Sequence, residues 1–279
     1  MASGIWTSTS GAAVQAQNVD MIANNLANGD TLAFKKDLPT FKEYLASVER
    51  EKEGVDVPHG QVKDKDFYPI DGKDQSFVIL DGTYTNFRQG HLRVTQGALD
   101  VAMDGPGFLE VSTPNGARYT RQGSLKLAAD GRLVTTDGHP VLAAAPANTA
   151  VGAAAPVQGA PDAARFINLR DIGKRVSITP EGELYAGDEL IARLNVVEFQ
   201  NLNGLRKAAG QLFLNKDPAN VVAPQRTQVR QGMLETSNVN PVEEMTNLIR
   251  ANRLFEHDLK AMKTMGDLMG REVNDIGKL

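Results

Sequence analysis

The chain of 279 residues contains no cysteine. That excludes a disulfide framework, a thiolate nucleophile and a thiolate metal site, and it leaves the redox compartment open. Histidine is scarce as well. His59, His91, His139 and His257 lie in separate segments, without the close helical spacing of a zinc site. No stretch approaches the roughly 18 apolar residues of a membrane span. Met1 to Gln17 lacks the basic start and apolar middle of a cleaved signal, so neither membrane insertion nor a removed leader is expected. An excess of positive charge is also missing. Thirty Lys and Arg stand against 34 Asp and Glu, interspersed, which disfavours nucleic-acid binding. Glycines fall singly in turns rather than in a strand-to-helix phosphate loop, and no serine elbow is present. Neither a cofactor nor a metal is expected.

What is present is a composition 41% hydrophobic, sufficient for a sizeable core in one or two domains. Its organisation is uneven: both ends read as helix and the middle as strand. The expected fold is mainly β, an antiparallel domain flanked by N- and C-terminal helices that form a coiled-coil-like core. Four segments follow: 1–36 with the first helix, 37–74 as an irregular connection, 75–230 as the β-rich domain, and 231–279 with the last helix.

From Ile5 to Ala27 there is no proline, and Ile5, Ala12, Val19 and Leu26 recur at intervals of seven, with Thr9, Ala16 and Ala23 as a second row. These rows share one face, a narrow seam of small residues that another helix could approach closely. The helix is predicted to end near Asn28-Gly29, with glycine in the left-handed conformation. Asn24, Asn25 and Asn28 crowd that end. At the other terminus, Asn240-Pro241-Val242-Glu243 supplies an N-cap oxygen, proline at the first helical position and an acid at the third. Met245, Leu248, Asn252, Phe255, Leu259, Met262, Gly266 and Met269 then alternate spacings of three and four, a heptad seam in which Asn252 is a candidate for fixing register. Spacing does not distinguish packing on a neighbouring molecule from packing on the chain's own domain. Two terminal helices have little apolar surface to offset the entropy of ordering them. They are therefore expected to be frayed until neighbours bury them.

Between them, Gln75 to Val141 alternates short apolar runs with turn signals at Asp81-Gly82, Asp104 to Gly107, Pro114 to Gly116, Asp130-Gly131 and Asp137-Gly138. Strands are predicted at 77–80, 99–103, 108–111 and 133–134, and again at 166–169, 176–178, 183–185 and 190–199. Residues 143–164, rich in alanine and proline, read as a loop. A short helix is predicted around Pro39 to Glu53. Phe77, Phe108, Tyr119 and Phe199 are expected in the core. One catalytic alternative survives: a glycan hydrolase using a carboxylate pair drawn from Asp100, Asp104, Glu110 and Glu198. Acids in such positions are more often turn formers or solvated, so a non-enzymatic role is expected.

Three motifs resemble one family. Ala23-Asn-Asn-Leu-Ala-Asn28 with Thr31 and Phe34-Lys35 is similar to the N-terminal signature of the flagellar rod and hook proteins, with Ala33 where glycine is usual. Leu99-Asp-Val-Ala102, Gly105 to Phe108, Tyr119-Thr-Arg-Gln-Gly123 and Leu133-Val-Thr135 resemble its central β motif. Gln231-Gly-Met-Leu-Glu235, Ser237-Asn-Val-Asn240 and Glu244-Met245 resemble its C-terminal signature. The length and the single β domain look more like a rod than a hook subunit, and Arg253-Leu-Phe-Glu256 looks most like the proximal rod branch, the distal rod second.

The resemblance implies a self-assembling structural subunit of the basal-body rod, whose terminal helices form the axial tube and whose β domain lies outside it. It implies as partners other axial proteins, further copies of the chain and the flagellar type III export apparatus, with export lacking a cleaved signal. The assembly residues it implies are Asn24, Asn25, Asn28, Met245, Leu248, Phe255, Leu259 and Met262, to which the heptad rows add Ile5, Ala12, Val19, Leu26 and Asn252.

Overall fold

The computed structural model describes residues 2–46, 75–144, 165–169 and 176–276, with side-chain environments for 7–42, 78–144, 165–169 and 176–271. Two compact units arise from five stretches of chain. One comprises Met1–Asn24, Leu38–Thr83 and Val242–Leu279; the other comprises Asn25–Asp37 and Tyr84–Pro241.

In the first unit, α1 (Ala2–Ala27) and α2 (Pro241–Ile276) are continuous helices. Proline opens α2, where its missing N–H costs no intrahelical bond, and Glu243 and Glu244 place negative charge at the positive end of the helix. The helices run antiparallel, since Gly11 faces Asp258 while the Thr9 hydroxyl lies 3.8 Å from the Met262 sulfur. β1 (Asp37–Ala46) pairs with β2 (Gln75–Thr85) in a two-stranded ribbon. The helix expected around Pro39 to Glu53 is therefore absent over 39–46, which are strand; 47–53 lie outside the described residues. Pairing with β2 outweighs the weak helical pattern. Asp81-Gly82, expected as a turn, lies inside β2.

The second unit holds the remaining strands: β3 (Leu92–Val94), β4 (Val101–Asp104), β5 (Phe108–Thr113), β6 (Gly116–Thr120), β7 (Leu125–Leu127), β8 (Leu133–Thr135), β9 (Val176–Ile178), β10 (Glu183–Ala186), β11 (Glu189–Arg193), β12 (Val196–Phe199), β13 (Leu205–Lys207), β14 (Leu212–Asn215), β15 (Val221–Val222), β16 (Gln228–Gln231) and β17 (Met233–Glu235). Six form one sheet in the order β13-β14-β6-β5-β12-β15, and β11-β10-β9 form another. β4 pairs with β16, β3 with β17 and β7 with β8, all antiparallel.

The predicted turns at Pro114 to Gly116 and Asp130-Gly131 connect β5 to β6 and β7 to β8, and a turn through Pro180 to Gly182 leads from β9 into β10. The expected strand at 190–199 is interrupted at Leu194 and Asn195, so that β11 and β12 join different sheets. Residues 166–169 make single bridges, Phe166 to Leu142 and Asn168 to Arg132, rather than a strand.

The two-residue period of a strand divides the core. On β5, Leu109 and Val111 enter an aliphatic cluster with Val101, Met103, Leu133, Ile167, Leu184 and Leu194. Phe108 points the other way, into an aromatic cluster with Tyr119, Phe199 and Phe213 whose rings meet mostly edge to face at 4.9–5.7 Å. Phe108, Tyr119 and Phe199 are thus core residues as the strand pattern predicts; the side chain of Phe77 lies outside the described set.

Candidate assembly elements and the buried ion cluster

On α2 the predicted heptad seam divides lengthwise. Leu248, Phe255, Met262 and Met269 form a half-buried row, flanked by buried Glu244 and Ala251 and half-buried Asp258 and Met265. The companion row of Met245, Asn252, Leu259 and Gly266 is exposed. Val242, Met245, Ile249 and Leu259 follow spacings that hold them on one side, and they are 72%, 51%, 55% and 43% exposed. Leu254 and Leu268 add further exposed apolar surface. A surface helix usually turns such residues inward, and Met245, Ile249 and Leu259 leave one flank of α2 largely exposed.

On α1, Ala12 is buried and Val19 and Leu26 are half-buried, while the Ile5 side chain lies outside the described set. Val14 and Ile22, absent from the predicted seam, are buried too, so the covered face is broader than the sevenfold rows suggest. Asn24 is exposed.

The neighbouring asparagines act on the chain itself. Asn25 is 1% exposed; its amide donates to the Asp37 carbonyl at 2.8 Å and its oxygen accepts the Asp37 N–H at 3.0 Å. This reciprocal pair imitates a strand ladder and closes the turn after α1. Asn28 accepts from the Thr31 hydroxyl at 3.2 Å.

Gly29 does not take the expected left-handed conformation. The chain packs closely around it, so that a Cβ there would sit 3.2 Å from the Leu26 carbonyl and 3.3 Å from the Pro241 ring. The left-handed residue is Ala33 instead, at φ 57° and 1% exposed, whose N–H donates to the Glu235 carbonyl at 2.9 Å. That backbone bond and the burial of the methyl offset a conformation costing about 1–2 kcal/mol for a residue with a Cβ.

Beside Ala33 lies an arrangement that sequence reasoning missed. Glu235 Oε1 accepts from Lys35 Nζ at 2.6 Å and from the Gly90 N–H at 2.8 Å, and its Oε2 accepts from Arg121 Nε at 2.8 Å. Lys35 also donates to the Arg88 carbonyl at 2.8 Å, and Arg121 to the Gly105 carbonyl at 2.6 Å, with its guanidinium 5.3 Å from the centre of the Phe108 ring. All three side chains are sealed from solvent, and among the described residues no buried side-chain polar atom lacks a partner.

Burial, helped by the Arg121 charge, lowers the Lys35 pKa to about 8 against the opposing pull of Glu235. Burial alone would raise the Glu235 pKa; the charges of Arg121 and Lys35 outweigh it and hold the carboxyl below its ordinary value.

The segment carrying Lys35 is held elsewhere as well. Asn238 accepts the Lys36 N–H at 2.8 Å and donates to the Asn86 and Arg88 carbonyls. Lys207 donates to the Lys35 carbonyl and to Asp37, both at 2.7 Å, with its ammonium 4.1 Å from the centre of the Phe34 ring. Residues quoted from the N-terminal, central and C-terminal motifs thus converge on one buried knot.

The four acids of the hydrolase alternative are committed to structure. Asp100 accepts from the Thr95 hydroxyl at 2.6 Å, and Asp104 lies 3.3 Å from Arg230. Glu110 is held by Arg165 and Asn195. Glu198 gathers the Gln225 and Arg226 N–H groups and the Thr227 hydroxyl at 2.8–3.0 Å. Burial alone would raise the Glu198 pKa, yet those bonds lower it. Among the described residues no group of His, Asp and Glu is placed to hold a metal, and no described helix is long and apolar enough to cross a membrane. His59 lies outside the described residues.

Three family models match in chain order. Residues 5–35 match "Flagella basal body rod protein", 102–186 "Flagellar hook protein FlgE/F/G D1 domain", and 230–276 "Flagellar basal body rod FlgEFG protein C-terminal". The flagellar basal-body rod protein FlgG of Agrobacterium fabrum is 30% identical, the match covering 91% of this chain and 92% of the relative. FlgF of Caulobacter vibrioides is 29% identical over 94% and 93%, and FlgG of Buchnera aphidicola subsp. Schizaphis graminum 28% over 96% and 98%. With the four acids held in structural roles and similarity running from α1 through the β unit to α2, the chain belongs to the family of flagellar basal-body rod proteins that includes FlgF and FlgG, structural subunits rather than enzymes.

Proposed function

We propose that this rod subunit assembles through α1 and α2, the open flank of α2 being the surface that a neighbouring subunit covers. The observation that carries the reading is the exposed row of Met245, Ile249 and Leu259 beside the half-buried row of Leu248, Phe255 and Met262. A helix with apolar residues on two adjoining flanks suits a bundle in which one flank meets the chain's own first helix and the other a second molecule. In such a bundle Asn252, exposed in the single chain, would enter the seam and fix its register.

The coiled-coil-like axial core, the partners among other axial proteins and further copies of the chain, and a rod spanning the periplasm belong to the same proposal. So does export through the flagellar type III apparatus without a cleaved signal. The test is Leu259→Asp, a residue already exposed in the single chain, so that the variant leaves its fold intact. Incorporation into basal bodies should be abolished, because assembly would desolvate an unpaired charge. Normal incorporation would reject the seam. Leu248→Asp is a less clean probe, since Leu248 is half-buried before assembly. Circular dichroism of the monomer with and without its termini tests whether the helices settle only on assembly, for which a loss of little helical signal on truncation is expected.

A further inference from the structure

The buried knot joins two segments at opposite ends of the chain, and the later one supplies the single anion that its two cations share. Lys35 and Arg121 are both sealed from water, and Glu235, 200 residues after Lys35, is the carboxylate bonded to each of them. We infer that Glu235 is the counter-charge of a closing latch: the segment following α1 docks on the β unit only when the segment preceding α2 has docked, so that the two close together.

Four observations support the coupling. The Glu235 side chain links Lys35, Gly90 and Arg121, while its carbonyl accepts the Ala33 N–H, so one residue ties down both the charge and the backbone of residues 33–35. Three residues on, Asn238 accepts the Lys36 N–H, and Gly29 packs close to the Pro241 ring, which a Cβ there would meet at 3.3 Å. β17, which carries Glu235, pairs in register with β3, Glu235 opposite Leu92, so the carboxylate is delivered by strand pairing. Without that strand, burying Lys35 beside Arg121 would place two cations in a dry site with no anion, a state that costs more than leaving the segment in water. A chain that emerges N-terminus first cannot satisfy this site until Glu235 arrives. The β unit is thereby kept from closing early over an incomplete molecule.

The test is hydrogen exchange on the full chain carrying Glu235→Gln, Lys35→Met or both. In the wild type, amides of 33–37 and 233–238 should open with one common free energy. E235Q should speed exchange in both segments together, by at least about 100-fold, while β5, β6 and β12 stay protected. Adding K35M should recover at least about tenfold of that protection, because one of the two stranded cations is gone. A structural role without charge balance predicts the reverse, the double variant being looser than either single one. If E235Q alone yields no folded protein, a folded and protected double variant supports the latch, and failure of both overturns it. Protection of 33–37 that survives E235Q, or a double variant no better than E235Q, also overturns it.

Discussion

The two compact units differ in emphasis, with most of the buried charge in the β unit, Glu244 on α2 excepted, and most of the exposed large apolar side chains in the unit that holds α2. In the β unit, Lys35, Glu110, Arg121, Glu198 and Glu235 are buried, and each is held by opposite charge or by several donors or acceptors. In the helical unit, Val242, Met245, Ile249, Leu254, Leu259 and Leu268 stand in water. Buried charge without compensation, or a row of exposed leucine-type side chains without cause, would each be anomalous in a self-contained monomer. Together they fit the proposed assembly, in which the β unit is complete in itself and a neighbouring subunit covers the open flank of α2. The contrast also separates two kinds of motif residue, those such as Lys35, Arg121, Glu235 and Asn238 that complete the β unit and those such as Met245 and Leu259 that remain open.

The contrast can be attacked from the buried side. Arg121→Met removes one cation from Glu235 and deprives the Met103 and Gly105 carbonyls of a donor. A loss of about 3–5 kcal/mol is expected in the unfolding free energy of the β unit from urea denaturation; a loss comparable to that of an exposed pair such as Arg230 with Asp104 would show that the knot is dispensable. Glu198→Gln weakens a carboxylate that collects three donors from residues 225–227, with an expected loss of about 1.5–3 kcal/mol in the same measurement.

Both Glu198 and Glu235 have depressed pKa values, so the unfolded chain takes up their protons first on acidification. Their stabilisation is present above the ordinary carboxylate pKa of 4.5 and is lost as pH falls through the lower folded values. Glu198→Gln should therefore flatten the acid limb of a melting-temperature profile. An unchanged limb would remove Glu198 from that account.

Lys35 acts at the other end of the scale. Its pKa falls from 10.5 to about 8 on folding, so between those values the unfolded chain holds more protons and stability rises with pH. Tyr119, raised to about 12 chiefly by burial, has the opposite slope from about pH 10 upward. Melting temperature should accordingly climb from pH 8 towards 10, and Lys35→Met should abolish the climb; a wild-type profile that is flat or falling there contradicts the assignment. The smallest effect belongs to Ala33→Gly. Relief of the left-handed backbone is nearly cancelled by the lost methyl burial and the freer unfolded chain, leaving a net shift below about 1 kcal/mol.

Much of the fold is legible locally. Proline at 241 and the acids after it mark the start of α2, and glycine-bearing turns at 114–116, 130–131 and 180–183 mark hairpins, because each signal acts within a few residues. The ribbon of β1 and β2 is not legible, since the pairing partner of Asp37–Ala46 begins only at Gln75. The seam on α2 can be read from the sequence as a period. Which of its two rows is covered depends on what packs beside it, and no spacing contains that information.

The sequence by itself determined where helices begin, where hairpins turn and that both ends carry heptad rows, because backbone propensity and side-chain period are local properties. Only the tertiary structure decided that Lys35, Arg121 and Glu235 share one dry site, that Ala33 adopts the left-handed conformation expected of Gly29, and that Met245 and Leu259 remain open. Electrostatic balance and burial are sums over neighbours in space, and these neighbours are brought together from distant parts of the chain.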